Sequence, residues 1–307
     1  MHMEPVLDTL QEAIEYFSNS ANCRDYVVAR RWADGVECPR CGSKHVTYLA
    51  KYDRWQCSAR HDNRQFTVKT GTIFEDSPLP LSKWLMAMWQ VVNCKNGVSS
   101  YEVHRAIGVT QKTAWFMDHR IRHALNMGTI ERNKLSGQIE ADETFIGGKA
   151  RNMHRAKREK KITGTGGKDK TAVMGILERG GEIRMKIVEN TRKKALQSEI
   201  REHVVAGSAI FTDSLKSYEG LSGYQHEVVD HAVEYVRGEV HTNGLENFWS
   251  LVKRMLHGTY ISVEDFHLFR YLDEQVFRYN HRKDFTDGEC FDLAVRRIVG
   301  KRLTGSN

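Results

Sequence analysis

The order of short apolar runs that begins at residue 137 constrains this 307-residue chain more than any other feature. GQIEADETFIGG (137–148), TAVMGILERGG (171–181) and EIRMKIVEN (182–190) read as three strands, the last two joined across a Gly180-Gly181 hairpin. TRKKALQSEIREHV then reads as a helix, SAIFTDS (208–214) as a short buried strand and YQHEVVDH (224–231) as another. In HTNGLENFWSLVKR (241–254) the residues Leu245, Phe248 and Val252, continued by Leu256, recur at three- and four-residue steps. They mark the apolar stripe of a closing helix.

A three-strand meander, a helix, a strand, then a further strand and helix is the order expected of an α/β fold of the RNase H-like (retroviral-integrase-like) kind. This is a mixed sheet with helices. Such a fold would converge three acids: Asp142 within the first strand, Asp213 at the end of the fourth and Glu246 on the closing helix. Magnesium is a hard cation that takes oxygen ligands, so a carboxylate trio suits two Mg²⁺ (or Mn²⁺) ions about 3.5–4 Å apart. Asn243, one turn before Glu246, can assist through its amide oxygen. Lys253 stands seven positions after Glu246, about 10 Å along the helix axis, too far for an i,i+4 ion pair. Either Glu246 holds metal and Lys253 grips a phosphate, or both are ordinary solvated side chains; helix geometry alone leaves both readings open.

Upstream, CPRCGS and KYDRWQCSARHDNRQFTVKTGTIF place Cys38 and Cys41 on one turn and Cys57 on a second, flanking short strands. That is how a zinc ribbon is built, with the metal replacing a core too small to fold unaided. The second knuckle is imperfect, because Arg60 cannot ligate zinc; His61, one residue on, completes a Cys3His set. The alternative is a degenerate site with plain buried thiols. PLPLSKWLMAMWQVV predicts a helix with Trp84, Leu85, Met88 and Val92 on one side. In the following stretch Ser99 or Ser100 caps a helix bearing Val103, Ala106 and Ile107, Gly108 sits in the turn, and Thr110 caps a helix bearing Ala114, Met117 and Ile121. This is a helix-turn-helix pattern offering Thr110, Gln111 and Lys112 to DNA, although any αα corner looks similar.

The modules are therefore an N-terminal helical segment (1–35), a zinc ribbon (36–76), a helix-turn-helix module (77–132) and an RNase H-like catalytic domain (135–307). A net charge of +7 and a pI near 9.0 favour a polyanionic partner. The insertion 149–170 concentrates that charge in Lys149, Arg151, Lys157, Arg158, Lys160 and Lys161. It is either a solvated insertion or an arm that neutralises phosphates. No apolar run approaches a membrane span and no signal peptide is evident, which predicts a cytoplasmic protein with reduced cysteines.

ADETFIGGK, TDS, HTNGLENFWSLVKR, GTY and RYLDEQVFRYNHR, with CPRCGS, TGTIF and PLPLSKW upstream, together resemble the DDE-type insertion-sequence transposases, family 1595. The resemblance covers nearly the whole chain. It implies a zinc-ribbon N-terminus, an RNase H-like catalytic domain and divalent-metal cleavage and joining of DNA at element ends. Asp142 and Asp213 match the family's two aspartates, Glu246 the third acid and Lys253 the basic residue that follows. Some members carry Asn as third ligand, which keeps Asn243 a candidate, and the family pattern places a fourth cysteine near Arg60, which this chain lacks. The expected protein is a prokaryotic, nucleoid-associated transposase that binds double-stranded DNA, element ends and target, as a homodimer or higher assembly. A catalytically inert DNA-binding regulator and a metal-dependent nuclease or junction resolvase are the rival readings.

Other residues draw ordinary readings. Glu140 alternates onto the face of Asp142 and Glu143 points away, either of them simply exposed. His226, His231 and His241 read as hydrogen-bonding residues, Trp249 as core, and Cys23, Cys94 and Cys290 as isolated buried thiols.

Overall fold

The computed structural model describes residues 7–126, 133–147, 155, 156, 159, 170–228 and 242–300. Two compact units divide the chain: residues 1–127 with 281–307, and residues 128–280.

The first unit is helical around a small sheet. Helix α1 (Leu10–Phe17) starts with a capping box in which the side chains of Thr9 and Glu12 each accept from the other's backbone N–H. Helix α2 (Ser20–Arg31) follows from an Asn19 cap. Strands β1 (Val46–Leu49), β2 (Arg54–Cys57) and β3 (Gln65–Phe66) form an antiparallel sheet in that order. Trp55 on β2 stacks on Phe66 with ring centroids 5.9 Å apart, and Trp32 packs edge-on against Trp55. Helix α3 (Leu81–Asn93) buries Trp84, Leu85, Met88 and Val92 as expected, but Ala87, Trp89 and Val91 as well. It is apolar on nearly every side because helices surround it. Helix α4 (Ser100–Ile107) begins at a Ser99–Glu102 capping box and ends at Gly108 in the left-handed conformation (φ 62°). Helix α5 (Gln111–Leu125) starts from a Thr110 cap and buries Ala114, Met117 and Ile121. Of the apolar face expected on α4 only Val103 is fully buried, and Ala106 is exposed.

The C-terminal helix corrects the expected domain boundary. Helix α9 (Asp287–Arg296), assigned from sequence to the catalytic domain, belongs to the first unit. Its Phe291 is fully buried between Phe17, Tyr26 and Trp89, with centroids 5.8, 5.7 and 5.0 Å away. Asp292 accepts from Arg30 and from the Tyr26 hydroxyl. An aromatic cluster assembled from both ends of the chain holds this helix where strand order could not reveal it.

The second unit is a five-stranded mixed sheet in the order β6-β5-β4-β7-β8, formed by β4 (Gln138–Ile146), β5 (Thr171–Glu178), β6 (Ile183–Val188), β7 (Ala209–Thr212) and β8 (Gln225–Val228). The first three pair antiparallel, whereas β7 pairs parallel with β4 and β8 parallel with β7. The run 224–231 therefore contributes a strand over residues 225–228. One face packs on α6 (Lys193–His203) through Ile139, Ala141, Ile176, Leu196, Ile200 and Ile210. The other packs on α7 (Asn243–Arg254) and α8 (Leu268–His281) through Val173, Leu177, Leu245, Phe248, Val252 and Leu272. Buried residues on both faces explain why β5 reads as a continuous apolar run. Helix α7 runs on into a wide π-type turn, Met255–Tyr260. No helix among the described residues is long and apolar enough to cross a membrane.

Gly175 lets α7 lie close to the sheet. A Cβ there would stand 2.9 Å from Leu245 Cδ2 and 2.9 Å from Trp249 Cζ2. Gly175→Ala should therefore force α7 outward and destabilise the second unit by about 1–3 kcal/mol, seen as a lower thermal midpoint by calorimetry.

Candidate functional site

Within the second unit, strand register brings the first two acids together. The parallel β4–β7 ladder ends at Glu140 opposite Phe211. Two residues further on each strand (140 + 2 and 211 + 2) set Asp142 abreast of Asp213. Asp213 follows β7 directly, and its Oδ1 accepts from the Leu215 amide at 3.1 Å, an Asx turn that carries the chain away and leaves Asp213 at the C-terminal end of the strand.

Helix α7 brings the third acid. Two hydrogen bonds fasten this helix to alternate residues of β4. Glu140 Oε2 accepts from the Leu245 amide at 2.9 Å, and Asp142 Oδ2 accepts from Trp249 Nε1 at 2.8 Å. The N-cap residue Thr242 makes no side-chain cap, so a carboxylate from the neighbouring strand satisfies one of the helix's first amides and complements its dipole. Glu140 is 1% exposed, and its other oxygen accepts from Arg179 Nε at 2.9 Å. Gly244 makes room for it: a Cβ at that position would lie 2.8 Å from Glu140 Oε2. Glu246, one residue past the capped amide, is exposed, as are Asn243 at the first position of α7 and Lys253 in its last turn.

Burial and neighbouring charge act on Asp142 and Glu143. Burial pushes the Asp142 carboxyl up to about 6, and the negative charges of Asp213 and Glu246 push it the same way against the Trp249 and Glu143 N–H groups. Glu143 is pushed up to about 7, first by burial and then by Asp213 and Asp142, against the Tyr218 hydroxyl. That hydroxyl donates to Glu143 Oε2 at 2.6 Å, and burial, with Glu143 next, holds it well above its usual ionisation range. Asp142 and Asp213 thus stand abreast at the ends of β4 and β7, Glu246 acts on Asp142 from α7, and Glu143 turns toward Tyr218. Repulsion of this kind, together with an all-oxygen donor set, suits a hard divalent cation.

Sequence reading missed three supporting residues. Glu140 is not exposed, and Trp249, although core at 4% exposure, also grips Asp142. Tyr218 drew no attention. The available signal was modest: an indole N–H at the edge of an apolar stripe needs an acceptor, and a glutamate alternating with Asp142 must face α7. His226 has the hydrogen-bonding role expected of it, to Thr212 Oγ1 at 2.9 Å. His231 and His241 lie outside the described residues, as do Lys149, Arg151, Lys157, Arg158, Lys160 and Lys161.

In the first unit the ribbon brings its four candidate ligands together. The three Sγ atoms of Cys38, Cys41 and Cys57 and a ring nitrogen of His61 all lie within 4.8 Å of one another. Cys38 Sγ is 3.5 Å from His61 Nε2 and Cys41 Sγ 3.7 Å from Cys57 Sγ. His61 Nδ1 lies 2.7 Å from the Asp62 carbonyl; a proton held there leaves Nε2 free to ligate. A three-sulfur, one-nitrogen set fits tetrahedral Zn²⁺. Of the remaining thiols Cys23 is buried, while Cys94 and Cys290 are half-buried rather than buried as expected. On the helix pair, Thr110 is spent as the cap of α5 and Gln111 donates to Ser100 Oγ at 2.8 Å, while Lys112 is exposed.

Each unit has a counterpart among known protein families. The ISXO2-like transposase domain matches residues 134–280, and the transposase zinc-ribbon domain matches residues 18–61. A protein of Halobacterium salinarum described as an uncharacterized protein in transposable element ISH50 is 29% identical over 258 residues, covering 79% of this chain and 85% of its own. An uncharacterized transposase-like protein of Haemophilus influenzae is 31% identical over 97 residues, 31% of this chain and 78% of its own. No solved structure matches the chain. A zinc ribbon followed by a matching transposase domain, shared with a transposable-element protein along most of its length, makes this chain a member of the insertion sequence 1595 family of transposases.

Proposed function

We propose that the chain is a working transposase: it binds the terminal inverted repeats of its element and catalyses divalent-metal-dependent cleavage and strand transfer on double-stranded DNA. The observation that carries this reading is the parallel β4–β7 register, which sets Asp142 abreast of Asp213, with α7, the helix that bears Glu246, fastened to Asp142 through Trp249. The strand order β6-β5-β4-β7-β8, three antiparallel then two parallel, supports an RNase H-like reading of the domain.

Asp142, Asp213 and Glu246 would hold two Mg²⁺ or Mn²⁺ ions, with Asn243 as alternative or additional donor. When bound, such ions stabilise charge on the entering and leaving oxygens of an in-line phosphoryl transfer. The protein's own part is placement. Trp249 and Glu140 hold α7 against β4, and that crossing would deliver Glu246 to the strand ends. Lys253, exposed on the same helix, reaches a phosphate of the strand crossing the site. Water opens the phosphodiester at the element end and releases a 3′-hydroxyl, and that hydroxyl attacks a target phosphodiester, displacing a second 3′-oxygen. The zinc ribbon, the α4–α5 pair with Lys112, and the basic segment 149–170 supply DNA contacts. Two ends must be joined together, which calls for at least a homodimer on DNA. The setting is the prokaryotic cytoplasm, beside the nucleoid.

Asp142→Asn, Asp213→Asn and Glu246→Gln should each lower Mg²⁺-dependent cleavage of cognate ends by roughly 10²–10⁴-fold, the loss of several kcal/mol of charge stabilisation. A strand-transfer assay on the same substrates separates transposase from nuclease.

Stability should carry the same signature. The Asp142 and Glu143 carboxyls bind protons more tightly folded than unfolded, so their contribution is full below the unfolded values and is lost as pH rises through about 6 and about 7. In EDTA the calorimetric midpoint of the second unit should fall between pH 5 and pH 7.5 and recover on adding Mg²⁺. Asp142→Asn should relieve up to about 3 kcal/mol of that penalty at pH 7.5 and abolish most of the metal-induced gain.

For the ribbon, purified protein should contain one zinc per chain by elemental analysis. Cys57→Ser should lose it, and His61→Cys, which restores a four-thiolate set, should keep it.

A further inference from the structure

Both oxygens of Asp142 are already engaged by the protein. Oδ1 accepts from the Glu143 amide at 2.8 Å and Oδ2 from Trp249 Nε1 at 2.8 Å. A carboxylate has about four lone-pair positions, so one on each oxygen is fixed and one on each stays open. The backbone bond is set by the strand. The indole bond comes from a helix, and its donor sits one turn after Glu246, so the residue that orients the first acid rides on the element that delivers the third.

The seat of this indole is built. Trp249 is 4% exposed, edge-on to Phe248 at 5.8 Å. Its ring lies over Gly175, the residue paired with Asp142 across β4 and β5. No smaller ring would fill that seat and still present an N–H to Oδ2.

We infer that Trp249 is a positioning residue of the metal site: its indole N–H holds the Asp142 carboxylate in the one orientation whose open lone pairs face Asp213 and Glu246. The inference rests on the reading of these acids as metal ligands. Outer hydrogen bonds of this type typically contribute 10–100-fold to metal affinity or activity. Trp249→Phe keeps an aromatic ring over Gly175 and deletes only the donor and part of the bulk.

The test is Mn²⁺ binding by full-length protein followed by electron paramagnetic resonance, together with kcat and KM for cleavage of element ends. Wild type, Asp142→Asn, Trp249→Phe and Val252→Ala are compared. Val252 is a fully buried residue of the same helix and serves as a packing control. Trp249→Phe should weaken Mn²⁺ binding by roughly 10–100-fold and lower kcat in proportion, with KM for DNA unchanged. Val252→Ala should lower the thermal midpoint without moving Mn²⁺ affinity. In ¹⁵N-indole spectra of wild type, the Trp249 N–H signal should shift on saturation with Mg²⁺ and stay still in Asp142→Asn; this readout stands even if Trp249→Phe does not fold. If Asp142→Asn loses Mn²⁺ while Trp249→Phe binds it as wild type does, or if the indole signal ignores Mg²⁺, the positioning role is overturned and the metal site stands. If Asp142→Asn binds Mn²⁺ like wild type, the metal reading itself fails and takes the inference with it.

Discussion

Helix α7 lies across β4 on two hydrogen bonds, from the Leu245 amide to Glu140 and from the Trp249 indole to Asp142, and the acid cluster depends on that crossing. Alternate residues of a strand share a face, and residues four apart share a face of a helix. A strand offering positions 140 and 142 therefore meets a helix offering 245 and 249 at two points, enough to fix both its height and its direction. Apolar packing of Leu245, Phe248 and Val252 supplies attraction without direction, while the two polar contacts supply register. Glycines at 175 and 244 allow the approach, since a Cβ at either would collide with its neighbours.

Asp142 and Glu143 are both pushed upward by burial and by neighbouring negative charge. Glu140, no less buried, is treated differently, with Arg179 paired to one oxygen and a helix amide on the other. The protein thus neutralises the carboxylate that holds the helix. The ribbon follows the opposite rule, with soft sulfur and one imidazole gathered within 4.8 Å, a set that closes around a structural ion.

Much of this was legible in the residues. Hairpin glycines, the apolar AIF run before Asp213 and the stripe on 241–256 marked the strands and the closing helix because local pattern and burial agree there. The grouping of Cys38, Cys41, Cys57 and His61 was legible too, since thiol and imidazole chemistry is tied to spacing along the chain. The part that escaped is the part made by long-range pairing. Glu140 could be read either onto the face of Asp142 or into solvent, because its partners, Arg179 and Leu245, lie 39 and 105 positions away. Helix α9 looked like the tail of the catalytic domain because nothing local tells Phe291 that Phe17 and Tyr26 await it. Trp249 was rightly taken as core, but its donor role appears only once β4 lies beneath it.

Anomalous diffraction from crystals soaked in Mn²⁺ reports most directly on whether Asp142, Asp213 and Glu246 form a single metal-binding centre. The expected result is manganese density at the end of β4, coordinated by carboxylate oxygens of all three residues. Manganese bound elsewhere, or bound there with the Glu246 side chain turned away into solvent, would contradict it.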